Sequence, residues 1–290
     1  MEVIEQISLL RNRLAAYRQE HKQTQIGYVP TMGYLHDGHA SLLRRAKEQT
    51  GLVVLSIFVN PLQFGPNEDF EKYPRDTERD LQLAEAAGVD IVFLPSVAEM
   101  YPKPTQTTVS VKGITSRLCG ASRPGHFDGV ATVVSKLFNI VQPDKAFFGL
   151  KDAQQIAVIT QMVEDLNMPV EIVPCPTLRE ADGLALSSRN VYLSAEERSQ
   201  AVVLSQSLAA AEAFISEHQH FTSEELVEAV KVHIRKATLG EIDYVEALAF
   251  PSLEPFTSID TVTEKRIIVA LAVKFSKARL IDNQIFPIRK

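Results

Sequence analysis

Apolar positions in the first 190 residues follow two periods in turn. Val3, Ile4, Ile7, Leu10, Leu14 and Tyr17 form a helical stripe with Arg and Glu on the other face, so the first 20 residues read as a helix. Short apolar runs then recur at 25–29, 52–59, 90–94, 145–148 and 170–173 and read as strands. Between them, 40–49, 76–87, 130–141 and 153–166 carry helical spacing. This alternation predicts a Rossmann-like, doubly wound parallel sheet, in which ligands bind at the carboxyl ends of the strands. The stretch 107–111 reads as an extra strand outside that sheet.

The pattern changes after Asn190. Ser194-Ala195-Glu196-Glu197 and Thr222-Ser223-Glu224-Glu225 each have the form of a capping box, opening helices that run to about Ile215 and Lys236. Two strand-like runs follow at 242–250 and 266–275, with Pro251 and Pro255 marking the turn between them. Helices followed by an antiparallel pair predict a smaller α+β domain. The expected fold is therefore α/β, with a nucleotide-binding domain over 1–186, a smaller domain over 187–290 and a substrate cleft at the junction.

Composition narrows the function. The 290 residues are 45% hydrophobic, as in an ordinary globular protein. A net charge of −6 supplies no basic face, so neither nucleic acid nor an anionic membrane is an expected partner. The longest apolar runs, such as 267–273, fall far short of the roughly 20 residues needed to span a bilayer. Cys119 and Cys175 lie far apart with no CxxC spacing, which argues against a disulfide framework or a zinc site. Met1-Glu2-Val3-Ile4-Glu5 has no basic leader character, and a cytoplasmic location is expected.

Candidate chemistry gathers where strands hand over to helices. Val29-Pro30-Thr31-Met32-Gly33-Tyr34-Leu35-His36-Asp37-Gly38-His39 joins the first such strand to its helix. Free N–H groups and the helix dipole at such a turn bind anions, and two imidazoles add donors, which suits a nucleoside triphosphate. Asn60-Pro61-Leu62-Gln63-Phe64 ends the second strand, and Gln63 has the donor and acceptor needed to hold a hydroxyl or carboxylate. Arg123-Pro124-Gly125-His126-Phe127-Asp128-Gly129 fits loop closure over phosphate and plain turn formation equally well. Phe148-Gly149-Leu150-Lys151-Asp152-Ala153-Gln154-Gln155 places a cation on a glycine turn, Asp152 as a helix cap, and Gln155 one helical turn beyond Lys151. Leu186-Ser187-Ser188-Arg189-Asn190 has the makings of a phosphate clamp near the domain junction.

These five segments, in this order and spacing, resemble the pantothenate synthetase (pantoate–β-alanine ligase) family of the nucleotidyltransferase superfamily, and the resemblance runs almost end to end. It implies a Rossmann-like domain with a C-terminal lid and a cytoplasmic homodimer. The implied substrates are Mg-ATP, (R)-pantoate and β-alanine, with a pantoyl-adenylate intermediate and release of pyrophosphate and AMP. Carried over by residue, Met32, Gly33, Tyr34, Leu35, His36, Asp37, Gly38 and His39 line the ATP site, with His39 in a proton-donor role. Gly149, Leu150, Lys151, Asp152, Leu186, Ser187, Ser188 and Arg189 also contact ATP, with a backbone contact at Leu178. Gln63, Gln155 and Asn60 serve pantoate and β-alanine, while His36, His39 and Lys151 form the catalytic set. The magnesium ligands are not assigned. Leu150 and Ala153 stand where the family usually has Glu and Tyr, which implies altered kinetics and not a different reaction.

Overall fold

The computed structural model describes residues 1–66, 68 and 70–288. Its first 175 residues build a six-stranded sheet. The strands are β1 (Glu2–Ile4), β2 (Ile26–Thr31), β3 (Leu52–Ile57), β4 (Ile91–Phe93), β5 (Lys145–Gly149) and β6 (Glu171–Cys175). All five pairings are parallel, in the order β1-β4-β3-β2-β5-β6. The crossovers carry α1 (Ile7–Glu20), α2 (Asp37–Gln49), α3 (Thr77–Ala86), α4 (Val97–Met100), α5 (Leu118–Ser122), α6 (His126–Val141) and α7 (Ala153–Asp165).

Side-chain alternation along the strands assigns those helices to two layers. Tyr28, Val54, Ile91, Phe93 and Phe148 point into a core shared with α1, α6 and α7. Their neighbours Val29, Val53, Leu55, Val92 and Phe147 point the other way, onto Leu42, Leu43 and Ala46 of α2 and Ala84 of α3. Both faces are covered at the central strands, which is why β3 and β4 are apolar at successive positions save Ser56.

The remainder forms α8 (Ala195–Ala201), α9 (Val203–Glu217), α10 (Ser223–Ile234) and an antiparallel sheet of β7 (Glu241–Ala249), β8 (Arg266–Lys274) and β9 (Arg279–Pro287). One sheet face packs on α8 to α10 through Val245, Ile267, Val269, Leu271 and Phe286. The other docks Leu248, Ile268 and Ala270 against Leu118, Ala153 and Ala157 of the first unit. Burial of β8 on both faces explains its unbroken apolar run.

Four expectations need correction. Residues 2–4 form an edge strand on β4, because the backbone of this short segment finds pairing partners 89 residues away that helical spacing does not reveal. The segment 107–111 forms no strand; the Val109 N–H goes instead to Thr132 Oγ1 at 3.0 Å, and Val111 packs into the core. The helix after Ser194 breaks at Val202 into α8 and α9. The antiparallel pair is a triplet, completed by β9.

Candidate active site

The site is built at the point where the sheet reverses its winding. β2 pairs with β3 at six positions but with β5 only at Gly27 and Tyr28, so β2 and β5 separate toward their carboxyl ends. A crevice opens at this switch point. The chain leaves β2 through Gly33 (φ 86°) and Tyr34 (φ 50°), both left-handed. A buried carboxylate holds that turn: Asp80 of α3 accepts the N–H of Tyr34 at 2.8 Å and of Leu35 at 2.6 Å. Burial raises the Asp80 carboxyl above its ordinary value, and the two N–H bonds oppose the rise.

The histidines that follow cap α2. His36 Nδ1 accepts the N–H of Gly38 at 3.1 Å, and His39 Nδ1 accepts the N–H of His36 at 3.2 Å. A backbone N–H only donates, so each Nδ1 is unprotonated and each ring carries its proton on Nε2. The rings lie 4.1 Å apart. Burial, and then the nearby charge of Lys151, pushes His36 down to about 4. Burial, and then its neighbours His36 and Lys151, pushes His39 to about 3. Near neutral pH the pair is uncharged and has two Nε2–H donors. Capping occupies Nδ1 of each ring and leaves Nε2, so it does not by itself exclude ligand binding, the rival explanation at the level of sequence.

At the end of β3, Asn60 is fully engaged. Its Oδ1 accepts Tyr101 OH at 2.8 Å and Leu62 N–H at 3.3 Å, and its Nδ2 donates to Gln63 Oε1 at 3.2 Å and Gly129 O at 3.1 Å. Asn60 therefore holds Gln63. Gln63 Nε2 donates to Met32 Sδ at 3.2 Å, joining this turn to the histidine turn. His126 Nδ1–H donates to Gln63 O at 2.8 Å, while its Nε2 accepts from Arg123 at 3.1 Å. Arg123 pairs in turn with Glu68, with contacts at 2.7 and 2.5 Å. Arg123 and His126 thus buttress the glutamine turn.

β5 ends in Gly149 and a 3-10 turn over Leu150–Asp152 that leads into α7. Lys151, Asp152 and Gln155 line the crevice. Asp152 makes no capping bond, contrary to expectation, because its φ and ψ of −101° and 53° are not those of an extended cap residue. Gln154 braces the wall, donating to Ile114 O and Arg117 O at 2.9 and 2.8 Å and accepting the Cys119 N–H at 3.0 Å.

These turns enclose a cleft of about 580 Å³ that Met32, His36, Gly38, His39, Asn60, Gln63, Gly149, Lys151, Asp152, Gln155, Leu178 and 186–189 all line. Gly33, Tyr34, Leu35, Asp37 and Leu150 are outside its wall; Leu35 is fully buried with its N–H spent on Asp80. Among the described residues, no group of three His, Cys, Asp or Glu is placed to hold a metal ion.

The pantoate-beta-alanine ligase profile matches residues 2–285. The chain belongs to the pantoate–β-alanine ligase family. It is 53% identical over 290 residues to the pantothenate synthetase of Geobacillus thermodenitrificans (strain NG80-2), covering 100% of this chain and 98% of that one. The crystal structure of pantothenate synthetase from Thermus thermophilus superposes with a TM-score of 0.90 at 45% identity, covering 98% of this chain and 99% of that chain. The pantoate-beta-alanine ligase from Francisella tularensis, crystallised with beta-gamma ATP and beta-alanine, is 34% identical with a TM-score of 0.77, covering 98% and 97%. The chain is accordingly an enzyme, a ligase that joins pantoate to β-alanine to form pantothenate.

The ligase cleft also has a wall that the strand-end motifs do not reveal. Asp243, Tyr244, Lys274, Lys277 and Arg279 reach it from the antiparallel sheet. Asp243 binds Lys274 at 2.6 Å, Arg279 at 2.8 Å and Ser122 Oγ at 3.0 Å, and these bonds hold its carboxyl below the usual range against the effect of burial. Three cations in the six residues Lys274-Phe275-Ser276-Lys277-Ala278-Arg279 were the available signal.

Proposed function

We propose that the enzyme works in two steps through pantoyl adenylate. A carboxylate is a poor electrophile, so the pantoate carboxylate first attacks the α-phosphorus of ATP and displaces pyrophosphate. The β-alanine amine then attacks the acyl carbon, and AMP leaves as pantothenate forms. The observation that carries this reading is the convergence, in one cleft at the switch point, of the histidine pair, Lys151 and the two glutamines Gln63 and Gln155.

ATP lies along Met32–His39, the 149–152 turn, Leu178 and 186–189. Backbone N–H groups available to it exclude those of Tyr34 and Leu35, which Asp80 holds, and those of His36 and Gly38, which the histidine rings hold. Gln63 and Gln155 hold pantoate, and Gln63 also serves β-alanine. Negative charge grows on the bridging oxygen as pyrophosphate departs. His36 and His39 meet it with Nε2–H donors, and Lys151 meets it with a full charge. A ring pushed to about 3 donates a hydrogen bond at neutral pH and does not release a whole proton, which gives the proton-donor role of His39 its physical form. Placing pantoate in line with the α-phosphorus supplies much of the acceleration.

Magnesium brought by ATP would be held chiefly by the nucleotide's phosphates, and Asp152, a carboxylate of the cleft wall beside Lys151, would be the protein group to assist it. Its chemistry is to neutralise phosphate charge. Residues 187–290, whose sheet docks on the first unit through Leu248, Ile268 and Ala270, wall in the adenylate and keep water out. The enzyme is proposed to be a cytoplasmic homodimer, a reading supported by the family resemblance; no helix among the described residues is long and apolar enough to cross a membrane.

The test is a rapid-quench measurement of pyrophosphate with ATP and pantoate alone. One equivalent per active site is expected without β-alanine. Pyrophosphate that appears only when β-alanine is added contradicts a separate adenylation step.

A further inference from the structure

β9 meets two turns of the site at once. Asn283, buried, donates from Nδ2 to Leu150 O at 3.0 Å and to Lys151 O at 2.8 Å. Both are carbonyls of the turn that bears Lys151. The neighbouring residue, Asp282, is 2% exposed and takes a two-pronged ion pair from Arg179 at 2.6 and 2.9 Å. Its Oδ1 also accepts the backbone N–H of Asn283 at 2.8 Å, which fixes the Asp282 side chain against the strand at Asn283.

Arg179 belongs to the second turn. It pairs with Ala185 through an isolated bridge, donates to Gly183 O at 3.1 Å, and is followed by the Leu186 N–H bond back to Leu178 O at 3.0 Å. The hairpin so formed presents Leu178 and 186–189 to the cleft. Consecutive residues of a strand point to opposite faces, so one dipeptide grips both turns. A buried Asp-Asn pair costs desolvation that packing alone gives no reason to accept.

We propose that Asn283 and Asp282 are positioning residues for adenylation: Asn283 sets the Lys151 turn, and Asp282, through Arg179, sets the 178–189 hairpin. The inference rests on the proposed role of Lys151 toward the ATP phosphates. The C-terminal sheet is on this view a fixed part of the adenylation site at β9.

A double-mutant cycle on single-turnover adenylation tests it. Asn283→Ala is expected to slow adenylation about tenfold in the parent enzyme, and less than twofold in a Lys151→Ala background, with pantoate affinity unchanged. Equal losses in both backgrounds, or no loss in the parent, overturn the proposal while leaving the role of Lys151 intact. A Lys151→Ala enzyme that adenylates normally overturns the reading beneath it instead. Asp282→Asn keeps the size of the side chain and provides a second arm that does not depend on Asn283→Ala folding. It is expected to raise the KM for ATP several-fold with the KM for pantoate unchanged, and an unchanged KM for ATP counts against the proposal.

Discussion

Gly129→Ala probes how tightly the turn bearing Gln63, proposed above to hold pantoate, is supported. Gly129 lies in the first turns of α6, where a Cβ would sit 2.2 Å from the Leu62 carbonyl oxygen and 2.6 Å from Gln63 Cα. Ordinary contact begins near 3.4 Å, so helix and turn must part by about 1 Å, and the neighbouring atoms are backbone, not flexible side chain. Alanine in a helix is favoured over glycine by about 0.8–1 kcal/mol, whereas overpacking costs about 1–3 kcal/mol. The net loss of stability is therefore small, on the order of 0–2 kcal/mol. Catalysis is more sensitive, since a misplacement of about 1 Å can cost roughly 10²-fold. The same movement stretches the bond from Asn60 Nδ2 to Gly129 O. Steady-state kinetics with pantoate varied should show kcat/KM lower by about 10- to 100-fold, with ATP affinity nearly unchanged. A variant that melts higher than the parent and keeps its kcat/KM for pantoate would refute the argument, because only the helix propensity would then have been felt.

Gln63→Ala and Gln155→Ala should raise the pantoate requirement far more than the ATP requirement, each lost neutral hydrogen bond costing about 0.5–1.5 kcal/mol; equal losses for both substrates would remove them from the pantoate pocket. His39→Ala and Lys151→Ala should each slow adenylation by about 10²–10³-fold with the chain still folded, and near-normal single-turnover rates would dismiss their roles. Stability should fall on acidification through the buried imidazoles, with His36 and His126 pushed to about 4 and His39 to about 3. Their value in the unfolded chain is near 6.5, so the unfolded state takes up protons first and stability, complete above about pH 6.5, is lost as pH drops toward 4. Melting scans should show that decline, made shallower by His36→Asn, which keeps a good helix cap; a melting temperature constant from pH 7 to 4.5 contradicts it.

The parallel sheet and its strand-end turns are legible because period and position carry them: buried strands are largely apolar, and the turns that line the cleft follow them. What escaped depends on contacts distant in sequence. Asp80 falls within the helical stretch 76–87, and only its bonds to amides 45 and 46 residues away reveal it as the support of the histidine turn. β9 was missed because Asp282 and Asn283 interrupt its apolar alternation, and those two residues are the ones that grip the site. The 107–111 stretch misled in the opposite sense, since β-branched composition does not supply a pairing partner. Asn60, expected to serve the substrates, lines the cleft with its four polar contacts spent within the wall, where it holds Gln63. Arg123 and His126 were open between phosphate binding and turn formation, and their bonds to Glu68 and to the Gln63 carbonyl favour support of the turn.

If pantoate is activated as an adenylate, a carboxylate oxygen of pantoate is the nucleophile at the α-phosphorus. That oxygen then stays with the phosphate when β-alanine displaces AMP. Pantoate labelled with ¹⁸O in both carboxylate oxygens, turned over with ATP and β-alanine, followed by mass spectrometry of the AMP, tests this directly. With an adenylate intermediate, AMP carries one ¹⁸O and pantothenate retains the other in its amide carbonyl. Unlabelled AMP would contradict it.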